Sequence, residues 1–169
     1  MKKIILKKEF FSIYSDTKVI DGIQKQYDVI NFGPRVGIIL KHEDKILLVS
    51  QYRYLIDDFS LEIPGGSVSY DETSLSAANR ELYEETGYKV DKLNHLLDYF
   101  PGLDNVDNRT SIFYSEIKKQ KLDLGPLNTK EIKSVSWYSI KECIDMIKKG
   151  VILDVMTIVA LLKIGNKIV

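Results

Sequence analysis

The sequence predicts an α+β fold in a single domain, residues 1–169, headed by a small antiparallel β unit over residues 1–32. Three observations carry this. The first stretch alternates apolar and polar residues in short runs broken by Asp21-Gly22, a period of two that belongs to strands. Val36–Leu40 and Lys45–Ser50 are nearly continuous apolar runs, as expected of strands covered on both faces. Helical periodicity is confined to the middle of the chain and its C-terminal part.

In chain order, Phe10, Ser12 and Tyr14 alternate with Phe11 and Ile13, Asp21-Gly22 turns the chain, and Gln26 to Phe32 alternates again. The open edges of such a unit need cover from the main body or from a second copy of the chain. Val36–Leu40 and Lys45–Ser50 form a hairpin around His42-Glu43-Asp44, with His42 facing solvent at the turn. Gln51-Tyr52-Arg53-Tyr54 then leads through Asp57-Asp58 to Leu61-Glu62-Ile63-Pro64-Gly65-Gly66. Two glycines after a proline let the backbone approach a ligand closely and turn a carbonyl toward it. A helix follows, capped by Asp71, with Leu75, Ala78 and Leu82 as its apolar stripe and Gly87 as its left-handed terminal residue. Leu93–Phe100 is a strand, Pro101-Gly102 turns it into a polar loop, and Ile112–Ile117 is the next strand. Lys121–Lys130 is a loop and Ile132–Tyr138 a strand. Ser139 and Glu142 make a capping box for a helix ending at Gly150, and Asp154 caps a last apolar helix.

Composition narrows the function classes. Basic and acidic residues balance at 24 each, so bulk charge gives no pull toward nucleic acid or an anionic membrane. Cys143 is the only cysteine. This excludes an internal disulfide and fits a reducing, cytoplasmic setting; in a helix it reads as a small buried hydrophobe. The N-terminal MKKIILKKEFF lacks the long apolar region of a signal peptide. The late ILDVMTIVALLKI contains Asp154 and is too short to span a bilayer comfortably. Only four of the 24 basic residues are arginines, Arg35, Arg53, Arg80 and Arg109, so each is expected to hold a planar bidentate partner.

The chemistry concentrates in Gly66–Tyr88, GSVSYDETSLSAANRELYEETGY. At about 100° per residue, Glu81, Glu84 and Glu85 share one helix face beside the apolar stripe. Acids at that spacing repel one another, and a divalent cation offsets the repulsion most simply. Carboxylate oxygens select Mg²⁺ or Mn²⁺ over zinc.

The spacing G-x5-E-x7-R-E-U-x-E-E-x-G-U, with U a bulky aliphatic, resembles the signature of the Nudix hydrolases. Gly66, Glu72, Arg80, Glu81, Leu82, Glu84, Glu85 and Gly87 match it, and Tyr88 departs at the last position. QYRY, EIPGG, FPG and the terminal DVMTIVALL are similar to the ADP-ribose pyrophosphatase branch, over roughly residues 28 to 165. The resemblance implies an α/β/α sandwich around a mixed sheet, and a homodimer to which residues 2–32 contribute. It implies Mg²⁺ or Mn²⁺ held by Glu81, Glu85 and the Gly65 carbonyl, with Glu84 adding a ligand or orienting water. Gly66, Glu72, Arg80 and Gly87 would support this box, Glu72 as the partner of Arg80. Arg53 falls at the position that contacts substrate phosphates, with a structural ion pair as its other reading. Tyr52, Tyr54 and Phe100 are candidates to stack on a nucleobase, or else core and rim packing. Glu131, then Glu116, are candidate general bases or solvated surface acids.

The implied reaction is hydrolysis of a nucleoside diphosphate linked to another moiety, foremost ADP-ribose to AMP and ribose 5-phosphate. Another sugar nucleotide, a dinucleoside polyphosphate or a nucleotide triphosphate is the alternative substrate, and a non-catalytic nucleotide-sensing module the alternative role. Two loops depart from the branch. LDNVDNR lacks the glutamate many relatives carry, and Leu127–Glu131 is less acidic than usual.

Overall fold

The computed structural model describes residues 2–119 and 132–165. In chain order the strands begin with β1 (Lys3–Lys7), β2 (Ser12–Ile20), β3 (Ile23–Asn31), β4 (Arg35–His42), β5 (Lys45–Arg53), β6 (Asp58–Glu62) and β7 (Gly65–Ser67). Helix α1 (Ser74–Thr86) precedes β8 (Asn94–Tyr99), β9 (Val106–Asp107), β10 (Thr110–Glu116) and β11 (Ile132–Ser139). Helices α2 (Ile140–Lys148) and α3 (Val155–Gly165) follow.

The central sheet is mixed, in the order β11-β5-β4-β10-β8, with β6 branching from β5 and β7 from β4. Only β10 and β4 run parallel in it, Thr110 opposite Arg35 and Glu116 opposite Lys41. Side chains alternate across a strand, and the two faces of β4 bury different cores. Val36, Ile38 and Leu40 meet Ala77, Ala78 and Leu82 of α1. Ile39 joins Ile46, Leu48, Cys143, Ala160, Leu161 and Ile164 on the side of α2 and α3. The result is the expected α/β/α sandwich. Truncating a fully buried side chain such as Leu82 to alanine costs ~2–5 kcal/mol.

The N-terminal unit is also as read: β1, β2 and β3 pair antiparallel, and β9 adds to β3 as a fourth strand. Asp21 (φ 51°) and Gly22 (φ 80°) make the turn, the two positive-φ positions a tight hairpin requires.

Several local readings are corrected. Thr73, not Asp71, caps α1: its hydroxyl accepts from the Ser76 N–H at 3.1 Å. Leu75 is exposed, and the buried stripe is Ala77, Ala78 and Leu82. His42 is half-buried, its Nδ1 3.1 Å from the Ile117 carbonyl oxygen and its ring edge-on to Trp137. Gly65 and Gly66 belong to a short strand paired with β4. The capping box of Ser139 and Glu142 is present, and Asp154 accepts from the Thr157 N–H at 2.8 Å.

Candidate active site

Helix α1 presents its acids along the flank of its buried stripe, and β7 lies against that flank. A side chain on Gly66 would overlap the carboxylate of Glu81, and one on Gly65 would strike the Val36 carbonyl oxygen. Glycine is required here for close approach. The Gly65 N–H donates to Glu85 Oε2 at 2.9 Å, which ties strand to helix.

Arg80 holds the rest of the box. Its guanidinium donates to Glu72 at 2.6 Å, Glu81 at 2.8 Å, Glu84 at 3.1 Å and the Ser67 carbonyl at 3.0 Å. Arg80 and the Ser69 N–H together pull the Glu72 carboxyl down to about 2. Glu72 and Arg80 thus form the structural pair expected of them.

Glu81 and Glu85 are pushed the opposite way. Burial raises Glu81, against the pull of Arg80. Glu85 is 8% exposed, and burial raises it to about 8 against the Gly65 N–H, with the charges of Glu81 and Glu62 adding to the rise. Glu84 is exposed. Among the described residues no three of His, Cys, Asp and Glu already converge as a ready cation cage. The donor chemistry nonetheless fits a hard dication, since buried carboxylates that raise one another are stabilised by added positive charge.

Arg53 donates twice to Glu62, at 2.7 and 2.5 Å. Glu62 is 3% exposed while the Arg53 side chain is 40% exposed, so the arginine neutralises a buried acid and keeps a face open. Beside it lies a cavity of about 200 Å³ lined by Arg35, Arg53, Glu62, Tyr99, Asn108 and Asp154. Asp154 also accepts from the Thr157 hydroxyl at 2.7 Å, and Thr157 Oγ1 accepts from the Ile63 N–H at 2.9 Å. That relay anchors the start of α3 to the segment entering β7.

The remaining candidates are scattered. The Tyr52 hydroxyl donates to Asp57 at 2.6 Å and its ring stands edge-on to Phe59. Tyr54 is 85% exposed on a neighbouring groove with Leu55 and Leu153. Phe100 is exposed, and its neighbours Tyr99 and Pro101 line the cavity instead. Glu116 pairs with Lys41 at 2.8 Å. It sits at the far end of β10 from the Arg35–Thr110 pair, ~20 Å along the strand, too far to serve as a base. Glu131 lies outside the described residues.

Three residues went unassigned in the sequence reading: Glu62, Arg35 and Asn108. For Glu62 the available signal was an acid inside an apolar strand a few residues after Arg53. Arg35 carried only the scarcity of arginine, and Asn108 only its place in an atypical loop.

A family model described as the NUDIX domain matches residues 31–154. The chain is 24% identical to an ADP-ribose pyrophosphatase of Bacillus subtilis over 167 residues, covering 95% of this chain and 90% of that protein. It is 29% identical over 118 residues to a CMP-5'-(N-acetyl-N-hydroxy-3-aminopropyl)phosphonate hydrolase of Streptomyces rubellomurinus. That match covers 70% of this chain and spans only 56% of the relative's length. A crystal structure of an ADP compounds hydrolase superposes with a TM-score of 0.75 at 17% identity, over 98% of this chain and 90% of that one. With its signature residues gathered around one turn of α1 and its fold shared across the sheet, the chain belongs to the Nudix hydrolase family.

Proposed function

We propose that the chain hydrolyses a nucleoside diphosphate linked to a second moiety, foremost ADP-ribose to AMP and ribose 5-phosphate. The observation that carries this is the pairing of half-buried Glu81 and buried Glu85 against Gly65-Gly66, with the open face of Arg53 alongside. Water oxygen joins one phosphorus, the bridging P–O bond breaks, and the released phosphate takes up a proton. Glu81, Glu85 and the Gly65 carbonyl would hold Mg²⁺ or Mn²⁺, with Glu84 as a further ligand or a holder of water. When bound, such an ion neutralises the diphosphate and acidifies coordinated water.

The chain's own groups do the rest. Arg53 offers its open face to phosphate oxygens while Glu62 fixes its plane. Arg80 keeps Glu72, Glu81 and Glu84 in register with the strand. Glu131 is the proposed general base, and Tyr54 the aromatic best exposed to meet a base ring. The domain is proposed to act in the cytoplasm; among the described residues no helix is long and apolar enough to cross a membrane.

A nucleotide panel with Mg²⁺ or Mn²⁺, read by mass, tests the assignment. AMP and ribose 5-phosphate from ADP-ribose are expected. Release of inorganic pyrophosphate from a triphosphate as the dominant reaction would replace it with a triphosphate substrate. Arg53→Ala should lower kcat/KM by roughly 10–100-fold through lost phosphate contacts. The same change strands buried Glu62 and should destabilise the protein by ~2 kcal/mol, less than for a fully buried pair because water reaches Arg53. Unchanged kinetics with a lowered Tm would leave Arg53 a purely structural partner.

The N-terminal unit exposes Ile4, Ile5, Leu6, Phe10, Val19 and Ile23. A two-fold assembly that covers these side chains is proposed, and light scattering should return twice the chain mass of 19.4 kDa. A monomer at micromolar concentration would refute it.

A further inference from the structure

Between β6 and β7 the chain changes neighbours. Glu62 ends β6 opposite Val49 of β5, and Gly65 begins β7 opposite Gly37 of β4. Strands β4 and β5 pair with each other only at their hairpin end, Lys41 with Ile46 and His42 with Lys45. Beyond it each takes its own new neighbour, β6 for β5 and β7 for β4, and the chain crosses from one to the other at Ile63-Pro64. A residue in such a crossing has no ladder partner for its N–H. Ile63 is 1% exposed, so water does not serve it either, and a buried N–H left unpaired is heavily penalised. Thr157 supplies the acceptor from outside the sheet, its Oγ1 2.9 Å from the Ile63 nitrogen.

The direction of that bond is fixed. Thr157 is wholly buried, and its hydroxyl has a single proton to give. The proton is donated to Asp154 Oδ2 at 2.7 Å, which leaves a lone pair for Ile63. Asp154 also accepts from the Thr157 N–H at 2.8 Å, so the side chain is pinned to the first turn of α3. Three consecutive residues are thereby tied to three different elements. The Ile63 N–H donates to α3, the Pro64 carbonyl accepts from the Ile38 N–H of β4 at 2.8 Å, and the Gly65 N–H donates to Glu85 of α1. Proline has a fixed φ and restricts the residue before it, so a hold on Ile63 passes to Gly65 with little slack. Gly65 has no side chain of its own to hold it.

We infer that Thr157 is a positioning residue for the reaction: through Ile63 and Pro64 its hydroxyl sets the Gly65 backbone, whose N–H holds Glu85 and whose carbonyl is the proposed cation ligand. The inference rests on the proposed function and goes beyond it, because Thr157 lies on α3, outside the box and outside the lining of the cavity beside Arg53. Its action is through the backbone alone.

The test removes the hydroxyl and then restores it. In Thr157→Val a methyl replaces the hydroxyl and the Ile63 N–H loses its acceptor; Thr157→Ser returns the acceptor. Amide hydrogen exchange of the protein in chelator, followed by NMR, reads Gly65 against Phe113 of β10 as an internal control. Gly65 should exchange roughly 5–10-fold faster relative to Phe113 in Thr157→Val, and the serine variant should return it to the parent's rate. Calorimetric Mn²⁺ affinity and turnover of ADP-ribose should each fall ~10–100-fold in the valine variant, the usual cost of losing a group that orients a metal ligand, and serine should restore both. Thermal melts check folding, and Thr157→Ala, which brings no new methyl against the N–H, carries the test if Thr157→Val does not fold. A folded variant in which Gly65 keeps its ratio to Phe113, or binds Mn²⁺ as tightly as the parent, would overturn the assignment. So would a serine variant as impaired as the valine one. If the parent neither binds Mn²⁺ nor cleaves ADP-ribose while Gly65 exchange still follows the hydroxyl, the proposed function falls and the hold of Thr157 on Gly65 stands.

Discussion

Glu85→Gln should abolish measurable turnover, a loss of ~1,000-fold or more, while the metal-free protein keeps its fold and gains stability at neutral pH. Glu85 is buried beside Glu81 and Glu62, and its carboxyl is raised to about 8 mainly by loss of water. Its folded pKa therefore lies above the ordinary carboxylate value of 4.5. The folded state binds the proton more tightly, so the stabilisation is full below that ordinary value and is lost as pH rises through about 8. Melts in chelator from pH ~5 to ~9 should show this protein losing Tm with pH, and the glutamine variant, which never ionises there, losing less. Glutamine keeps an oxygen for the Gly65 N–H, so a collapse of the fold is not expected. Retained activity would show that this carboxylate is not a needed ligand, and a variant less stable than the parent at pH ~8 that it is not a buried liability.

The second large effect separates two adjacent glycines. In Gly66→Ala the new methyl overlaps only the tip of the Glu81 side chain. That tip can swing aside, so the protein should fold with a Tm close to the parent's. Glu81 would then leave its place, and kcat should fall by roughly 100-fold or more. In Gly65→Ala the methyl meets the backbone of β4 at the Val36 carbonyl, which cannot move without breaking the β4–β7 pairing. That variant should be poorly folded. A Gly66→Ala enzyme with full activity would mean that the close fit of β7 on α1 has no part in catalysis.

The box was legible because its chemistry needs fixed spacing along one helix. Arg80 reaching Glu72, and Gly66 meeting Glu81, join residues close together in the chain. The hairpin, the Ser139 capping box and the Asp154 cap were legible for the same local reason. Thr73 was missed because both it and Asp71 are good caps, and only the path of the chain between β7 and α1 chooses between them. The cavity was not legible. Arg35, Glu62, Asn108 and Asp154 come from four separate segments, and their meeting is a property of the sheet order. The same holds for Glu116: sequence shows an acid in a strand, and only the parallel pairing of β10 with β4 reveals which end it occupies.

That parallel pairing also governs how the chain can be made. Lys41 and Glu116 meet across it although 75 residues separate them, so on the ribosome β4 emerges long before its neighbour does. Until then one apolar margin of the hairpin, Val36 to Leu40, stays open to any passing strand. Nascent fragments released before Glu116 should therefore clump or be caught by chaperones.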